Sequence, residues 1–322
     1  MGMLIEGRWE ITPVHQGAKD EEGGRFVRRP ATFRHRIEPA GRFAPEPGRY
    51  HLYVSLACPW AHRTLIVRHL ARLEEKIGVS IADSFMDDQG WAFRHRRGAV
   101  LDDVNQAAYL RDIYLLAEPR FTGKVTVPVL WDKKERTIVN NESRDIIVML
   151  ASVFPKEQGA SDLYPEGLRA EIDAMIDANY DSVNNGVYRA GFARSQEAYD
   201  EAVTQLFARL DALDAHLAGR RYLVGDRLTL ADVTLFTTLL RFDPVYVGHF
   251  KCNLRRIADY ASLGSYLRDL YQRPAFSRYA DFDHIKDHYY RSHPSLNPTR
   301  IVPNGPILDL ERPHGREALG PA

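Results

Sequence analysis

The stretch Ser55-Leu56-Ala57-Cys58-Pro59-Trp60-Ala61-His62-Arg63 does most to limit what this chain can fold into. Upstream, Tyr50, Leu52, Val54 and Leu56 alternate with His51, Tyr53 and Ser55, and this period of two predicts a short strand. Downstream, Ile66, Leu70, Leu73 and Ile77 recur at helical spacing and predict one apolar stripe. Pro59 suits the first helical position, where its missing N–H would have been unpaired anyway. Cys58 then falls at the helix N-cap, facing open amides and the positive end of the peptide dipoles. Such a setting brings a thiol pKa from ~8.5 into the ~3.5–7.5 range and makes the sulfur a nucleophile. A free cysteine is more often a small buried residue, but the order strand, thiol, proline, helix favours reactivity. Position 61 is alanine, which excludes a Cys-x-x-Cys disulfide and leaves an outside sulfur as the expected partner of Cys58.

At 322 residues the chain has room for two domains. Lys plus Arg and Asp plus Glu are balanced at 43 each, so no net field draws in nucleic acid or acidic membrane. A small molecule or a protein is the expected partner. The two cysteines, Cys58 and Cys252, are far apart and make no disulfide framework, which is the usage of a reducing compartment. The first residues hold no long apolar region, Glu6 breaks the myristoylation pattern, and no window approaches ~18 uninterrupted apolar residues. A cytoplasmic protein is expected.

Residues 1–48 are rich in Gly, Pro and Arg without a sustained period and read as an extended arm. Its Arg25–Arg36 segment interleaves arginines with Phe26 and Phe33, a pattern that touches nucleic acid in other settings, but with zero net charge the arginines are expected to pair with carboxylates of the same molecule. A second strand is expected over Val79–Met86. Asp87–Pro119 is longer than a simple connection needs to be and is therefore a functional candidate. It carries Trp91, which pins the loop to the core or walls a ligand site, and a short helix from about Tyr109 to Ala117. Val125–Trp131 reads as a third strand interrupted by Pro128, which does not belong in a sheet interior. A cis Val127–Pro128 bond that offers the backbone of Val127 to a peptide-like ligand is one explanation, and an edge-strand proline is the other. A fourth strand over Arg136–Asn140 leads through Asn141-Glu142-Ser143 into a helix. There the helix amides suit a ligand carboxylate and Glu142 suits an ammonium group, although plain capping explains the same residues.

Turn-formers between Ala151 and Pro165 mark a linker, placed at residues 155–166. Beyond the first domain at 49–154, residues 167–296 show helical periods over Leu168–Asn184, Gln196–Leu217, Thr229–Leu240, Leu263–Gln272 and Phe282–Arg291, and 297–322 read as a tail. Thr229 and Asp232 form a capping box. Tyr180, Tyr188, Tyr246, Tyr289 and Tyr290 lie near helix ends, where phenols either pack or project into a cleft. His284 and His288 have metal-ligand spacing but no third ligand, so a solvated helix face is expected and no metal. Cys252 has no activating neighbours and reads as structural.

A thiol-bearing α/β half with a proline-interrupted strand and a Glu-Ser turn, followed by an all-helical half, resembles the cytosolic glutathione transferases. The implied fold is an α/β thioredoxin-like N-terminal domain plus an all-α C-terminal domain. More narrowly, Cys58–Arg63, Trp91, Val125–Asp132, Val139–Ser143 and His288-Tyr289-Tyr290 together look like the xi class, the glutathionyl-hydroquinone reductases. The resemblance implies an enzyme that removes glutathione from a glutathionyl-hydroquinone through a mixed disulfide at Cys58, which a second glutathione resolves. It implies that Val127 pairs its backbone with glutathione, that Glu142 and Ser143 hold the γ-glutamyl end, and that Trp91 packs on the ligand. Tyr188 and Tyr289 match tyrosines that contact the aromatic substrate. Where the family has arginine in a Gly-Arg-Val-Thr-Val-Pro segment, this chain has Lys124, which keeps the charge without the bidentate fork. A homodimer is also implied. Two rival readings remain: a transferase conjugating glutathione to electrophiles, and a non-catalytic module that binds glutathione or aromatic ligands.

Overall fold

The computed structural model describes residues 2–11 and 22–320, beginning with an antiparallel hairpin of β1 (Gly2–Ile5) and β2 (Arg8–Ile11). Its turn sets Glu6 at φ 47° and Gly7 at φ 80°, and a Cβ on Gly7 would lie 2.1 Å from the carbonyl oxygen of Pro119, so glycine is required there. Strands of four residues are too short to show a period, which is why the sequence reads as an aperiodic arm.

Four strands build one sheet in the order β4–β3–β5–β6. Strand β3 (Tyr50–Val54) runs parallel to β4 (Ile77–Ile81) and antiparallel to β5 (Val129–Asp132), which pairs with β6 (Thr137–Asn140). Both faces of β3 are covered: Leu52 and Val54 are fully buried among apolar side chains, while His51 and Tyr53 are buried beside Ser80 and Asp102. Helices α1 (Pro59–Leu70), α2 (Leu110–Ala117) and α3 (Ser143–Ser152) complete this layer, with α1 against α3 and α2 beside β6. Leu65, Ile66, Ile146 and Ile147 fill the core between them without solvent exposure.

Three expected boundaries shift, the first being the second strand, expected over Val79–Met86 and formed by Ile77–Ile81. Helix α1 ends at Leu70 and does not run on to Leu73 and Ile77, because Arg72 adopts φ 57° and turns the chain into β4. Leu73 and Ile77 are buried, so their helical spacing reports burial and not helix. The third strand starts at Val129 and not at Val125, since Pro128 has no N–H to give to the ladder. The Val127–Pro128 bond is cis.

The described residues fall into two compact units: 2–11, 29–161 and 281–302 form one, and 22–28, 162–280 and 303–320 form the other. The second is helical, with α4 (Arg169–Asn179), α5 (Gly186–Gly191), α6 (Gln196–Leu217), α7 (Leu230–Arg241) and α8 (Ala261–Tyr271). The helix expected over Leu168–Asn184 gives way at Tyr180–Asn184 to a wider turn with i→i+5 bonds. In it Asn184 reaches α7, donating to Thr234 O at 3.1 Å and Thr238 Oγ1 at 2.8 Å. The capping box forms as expected, with the Thr229 amide 2.9 Å from Asp232 Oδ2. The arginines of the 25–36 segment also pair as expected, Arg25 with Glu201 at 2.9 Å and Arg34 with Asp145 at 2.6 Å.

Helix α9 (Phe282–Ser292) belongs to the first unit, although its period alone groups it with the helices before it. Periodicity reports that a helix buries one face but not what covers it. Among the described residues no helix is long and apolar enough to cross a membrane.

Candidate active site

Cys58 occupies the N-cap of α1 with extended backbone, φ −78° and ψ 120°, and Pro59 is the first helical residue. Its amide donates to Ser55 O at 3.1 Å and its carbonyl accepts from His62 at 2.9 Å, so turn and helix together fix where the side chain points. The half-buried Sγ lies 3.6 Å from the carbonyl oxygen of Val127. Cys252 differs in every respect: it is fully buried, and burial pushes its thiol far up, so it stays protonated and inert.

The loop carrying Val127 and the turn carrying Glu142 are tied together by one buried side chain. Tyr114 of α2 donates its hydroxyl to Thr126 O at 2.9 Å and accepts from the Thr126 amide at 3.2 Å and from Asn141 Nδ2 at 3.1 Å. Asn140 Oδ1 in turn accepts from the Glu142 amide at 2.7 Å. The Glu142 carboxylate caps α3, accepting from the Arg144 amide at 3.1 Å, and Ser143 Oγ lies 3.5 Å from it. The capping role expected of these residues is thus real. Sequence reasoning missed Tyr114 and Asn141, whose link spans 27 positions and leaves no local pattern.

Lys124 is exposed on a loop that the N-terminal hairpin braces. Leu4 and Gly123 exchange amide bonds of 3.0 and 2.9 Å, the Gly7 amide donates to Phe121 O at 3.1 Å, and the Glu6 amide donates to Thr122 Oγ1 at 2.8 Å. The arm therefore positions the loop that bears this cation.

Trp91 is 8% exposed. Its carbonyl accepts from the Leu110 amide at 2.9 Å, and the neighbouring Ala92 carbonyl accepts from the Asp83 amide at 2.8 Å. The fully buried Asp83 carboxylate faces Arg96 at 3.4 Å and Arg94 at 3.8 Å, neutralising the start of the loop. From the other side the loop meets α9. The His288 ring stacks on Trp91 with centroids 4.7 Å apart and planes at 19°, and its Nδ1–H donates to Ser84 O at 3.0 Å. His284 Nε2 lies 3.4 Å from Ser55 Oγ, beside the thiol turn. Gly98, at φ 79°, permits the approach, since a Cβ there would stand 3.0 Å from His284 Nδ1. The solvated face expected for His284 and His288 is therefore corrected: they are 3% and 6% exposed because α9 buries them against the thiol turn and the Trp91 loop. The stripe His284, Ile285, His288, Tyr289 and Ser292, all buried, was the available signal.

Tyr289, on the same helix, is 2% exposed and packs edge-on to His293 at 5.6 Å. The first unit thus holds Cys58, Trp91, Lys124, Val127, Glu142, Ser143 and Tyr289. Tyr188 belongs to the helical unit, where the Arg28 guanidinium lies 4.7 Å from its ring centroid and Phe250 packs at 5.4 Å. Tyr246 is buried in that aromatic cluster, stacked on Phe250 at 5.4 Å. His51, Asp102 and Asp103 bring possible ligand atoms within 4.8 Å of one another. Protein groups account for the two buried members: His51 Nε2 pairs with Ser80 Oγ at 2.9 Å, and Asp102 accepts from the Tyr53 hydroxyl and three backbone amides.

A thiol capping the first helix of a β-α-β-α-β-β-α unit, against the residue before a cis proline, defines the thioredoxin-like class of thiol site. Two family models match, the glutathione S-transferase N-terminal domain over residues 57–153 and the C-terminal domain over 196–279. The glutathionyl-hydroquinone reductase YqjG of Escherichia coli is 50% identical over 327 residues, covering 98% of this chain and 99% of that protein. A xi class transferase structure from Natrialba magadii superposes with a TM-score of 0.92 at 49% identity, covering 99% of this chain and 98% of that one. The glutathione-bound structure of YqjG superposes with a TM-score of 0.88 at 48% identity, covering 98% and 99%. The chain belongs to the glutathione transferase family, within its xi class.

Proposed function

We propose that this chain is a glutathione-dependent reductase that takes glutathione off glutathionyl-hydroquinones and releases the hydroquinone and oxidised glutathione. Its near-full-length relative YqjG carries the name glutathionyl-hydroquinone reductase, and YqjG has been solved with glutathione bound. The observation that carries the reading is the Cys58 Sγ at a helix N-cap, 3.6 Å from the Val127 carbonyl, with Ala61 where a resolving cysteine would stand. One thiol without an intramolecular partner must exchange with a thiol from outside.

The Cys58 thiolate attacks the sulfur of the glutathionyl group. The sulfur–aryl bond breaks, its electron pair passes to the ring, and a proton from solvent completes the hydroquinone. Cys58 then carries glutathione as a mixed disulfide, and the thiolate of a second glutathione attacks this disulfide, freeing Cys58 and forming oxidised glutathione. The sum is one glutathionyl-hydroquinone plus one glutathione giving one hydroquinone plus one oxidised glutathione.

Val127 would pair its backbone with the cysteinyl unit, and in support of this its N–H donates to no acceptor among the described residues. Glu142 and Ser143 would hold the γ-glutamyl ammonium and carboxylate, Lys124 the glycyl carboxylate, and Trp91 would lie against the ligand. Tyr188 and Tyr289 would contact the aromatic part. Two free cysteines suit a reducing, cytoplasmic setting, and assembly as a homodimer is carried over from the resemblance.

The test is turnover of a glutathionyl-hydroquinone by wild type and Cys58→Ala, with glutathione binding measured alongside. Nearly complete loss of turnover with binding retained is expected. Unchanged turnover in the variant overturns the assignment. Conjugation of a simple electrophile by the wild type would favour a conjugating transferase, and binding without either reaction a non-catalytic module.

A further inference from the structure

The Trp91 loop is held at its backbone and, separately, at its ring. The backbone is pinned by the Leu110 and Asp83 amides at 2.9 and 2.8 Å. Further on, Ser84 Oγ donates to Asp287 at 2.6 Å and the Met86 amide donates to Ser292 Oγ at 3.0 Å, both partners lying on α9. With the backbone fixed, the freedom left to Trp91 is rotation about its two side-chain torsions. The His288 ring, stacked at 4.7 Å and 19°, removes it. The imidazole is itself held, because a carbonyl oxygen only accepts, so the 3.0 Å contact with Ser84 O fixes the proton on Nδ1 and the ring plane with it.

What this orientation leaves over is the indole N–H. Trp9 donates its Nε1–H to Asp88 O at 3.0 Å, and Trp131 has its own sealed in the core. The Trp91 Nε1 is not sealed, and among the described residues it meets no acceptor, although the residue as a whole is 8% exposed. A tryptophan that buries its ring and keeps its donor open is built to use that donor.

We propose that His288 is a positioning residue for glutathione binding: it holds the Trp91 ring so that the indole N–H is presented as a hydrogen-bond donor to the bound peptide. The inference rests on the assignment of Trp91 to the glutathione site. The effect of His288 runs through Trp91, on whose ring it stacks.

Calorimetric titration of glutathione into wild type, Trp91→Phe, His288→Leu and the double variant tests this, with melting temperatures recorded for each. Trp91→Phe keeps a ring for His288 to stack on and deletes the donor. An aromatic pair contributes about 0.5–1.5 kcal/mol, so at about 1.4 kcal/mol per tenfold His288→Leu weakens binding roughly two- to twelvefold. In the Trp91→Phe background the same change costs less than about twofold, since no donor remains to be aimed. A purely structural role for His288 would weaken binding equally in both backgrounds, and that result, or unchanged binding in His288→Leu, overturns the inference. Unchanged binding in Trp91→Phe removes Trp91 from the site and the inference with it, whereas loss there with additive behaviour refutes the inference alone. Should His288→Leu not fold, His288→Gln, which retains a donor for Ser84 O without a ring to stack, completes the same cycle.

Discussion

Replacing Tyr114 by phenylalanine deletes a single oxygen, yet that oxygen makes bonds to both the Val127 loop and the Glu142 turn. The bond to Asn141 is buried, so its Nδ2 loses an acceptor without gaining water, at about 1–2 kcal/mol. The contacts with the Thr126 carbonyl, amide and hydroxyl are only partly buried, and water recovers much of each, leaving about 1 kcal/mol together. The sum is a loss of about 2–3 kcal/mol with little change in packing, since the ring remains. Urea denaturation of Tyr114→Phe against wild type reads this directly. Because Thr126 precedes Val127 and Asn141 precedes Glu142, the same variant should raise the KM for glutathione several-fold while leaving alkylation of Cys58 intact. A stability change below about 0.5 kcal/mol with an unchanged KM would refute the view that this hydroxyl holds the two ligand segments together.

Three further outcomes follow from groups that burial controls. Burial lowers the imidazoles of His51 and His249 to about 4 each. Against an unfolded value of ~6.5, the unfolded chain binds the extra protons between those limits, so stability is complete above ~6.5 and falls as pH drops toward 4. At about pH 5.5 the loss is about 1.4 kcal/mol per histidine; urea midpoints should show it roughly halved in His249→Gln, and an undiminished loss would count against the assignment. Intact-mass analysis after iodoacetamide treatment of folded protein should find one adduct, on Cys58, with the second appearing only in denaturant; early modification of Cys252 would contradict its burial. Asp132→Asn strips from the buried Arg49 the carboxylate it contacts at 2.5 and 2.8 Å, leaving Glu46 at 2.8 Å as its remaining carboxylate partner, and should cost about 2–3 kcal/mol in denaturation. A cost under 1 kcal/mol would mean the pair is far better solvated than its burial implies.

The thiol site was legible because its chemistry is local. Strand, Cys58 and Pro59 are consecutive, and N-cap geometry follows from that order without knowledge of the rest of the fold. The cis bond at Val127–Pro128 was legible for a similar reason, as a proline inside a strand period demands an explanation. Contacts made across the sequence were not legible. The Tyr114–Asn141 bond joins a helix to a turn, and neither residue type announces a distant partner. His284 and His288 read as solvated because histidine is ambivalent between water and the interior; Ile285 and Tyr289 beside them carried the hint that this face is covered. Leu73 and Ile77 misled in the opposite direction, mimicking a helical stripe while entering a turn and a strand.

The placement of residues 281–302 bears on how the molecule comes into being. The sheet, its thiol and the tryptophan loop are translated early, but the helix that settles that loop leaves the ribosome only after all of the α4–α8 segment has been made. A nascent chain halted at the linker would therefore carry a formed cysteine turn beside a tryptophan loop not yet set. The two halves cannot be treated as separable cassettes: a fragment cut after residue 161 would carry the Cys58 turn and the Trp91 loop without the helix whose His284 and His288 pack on them.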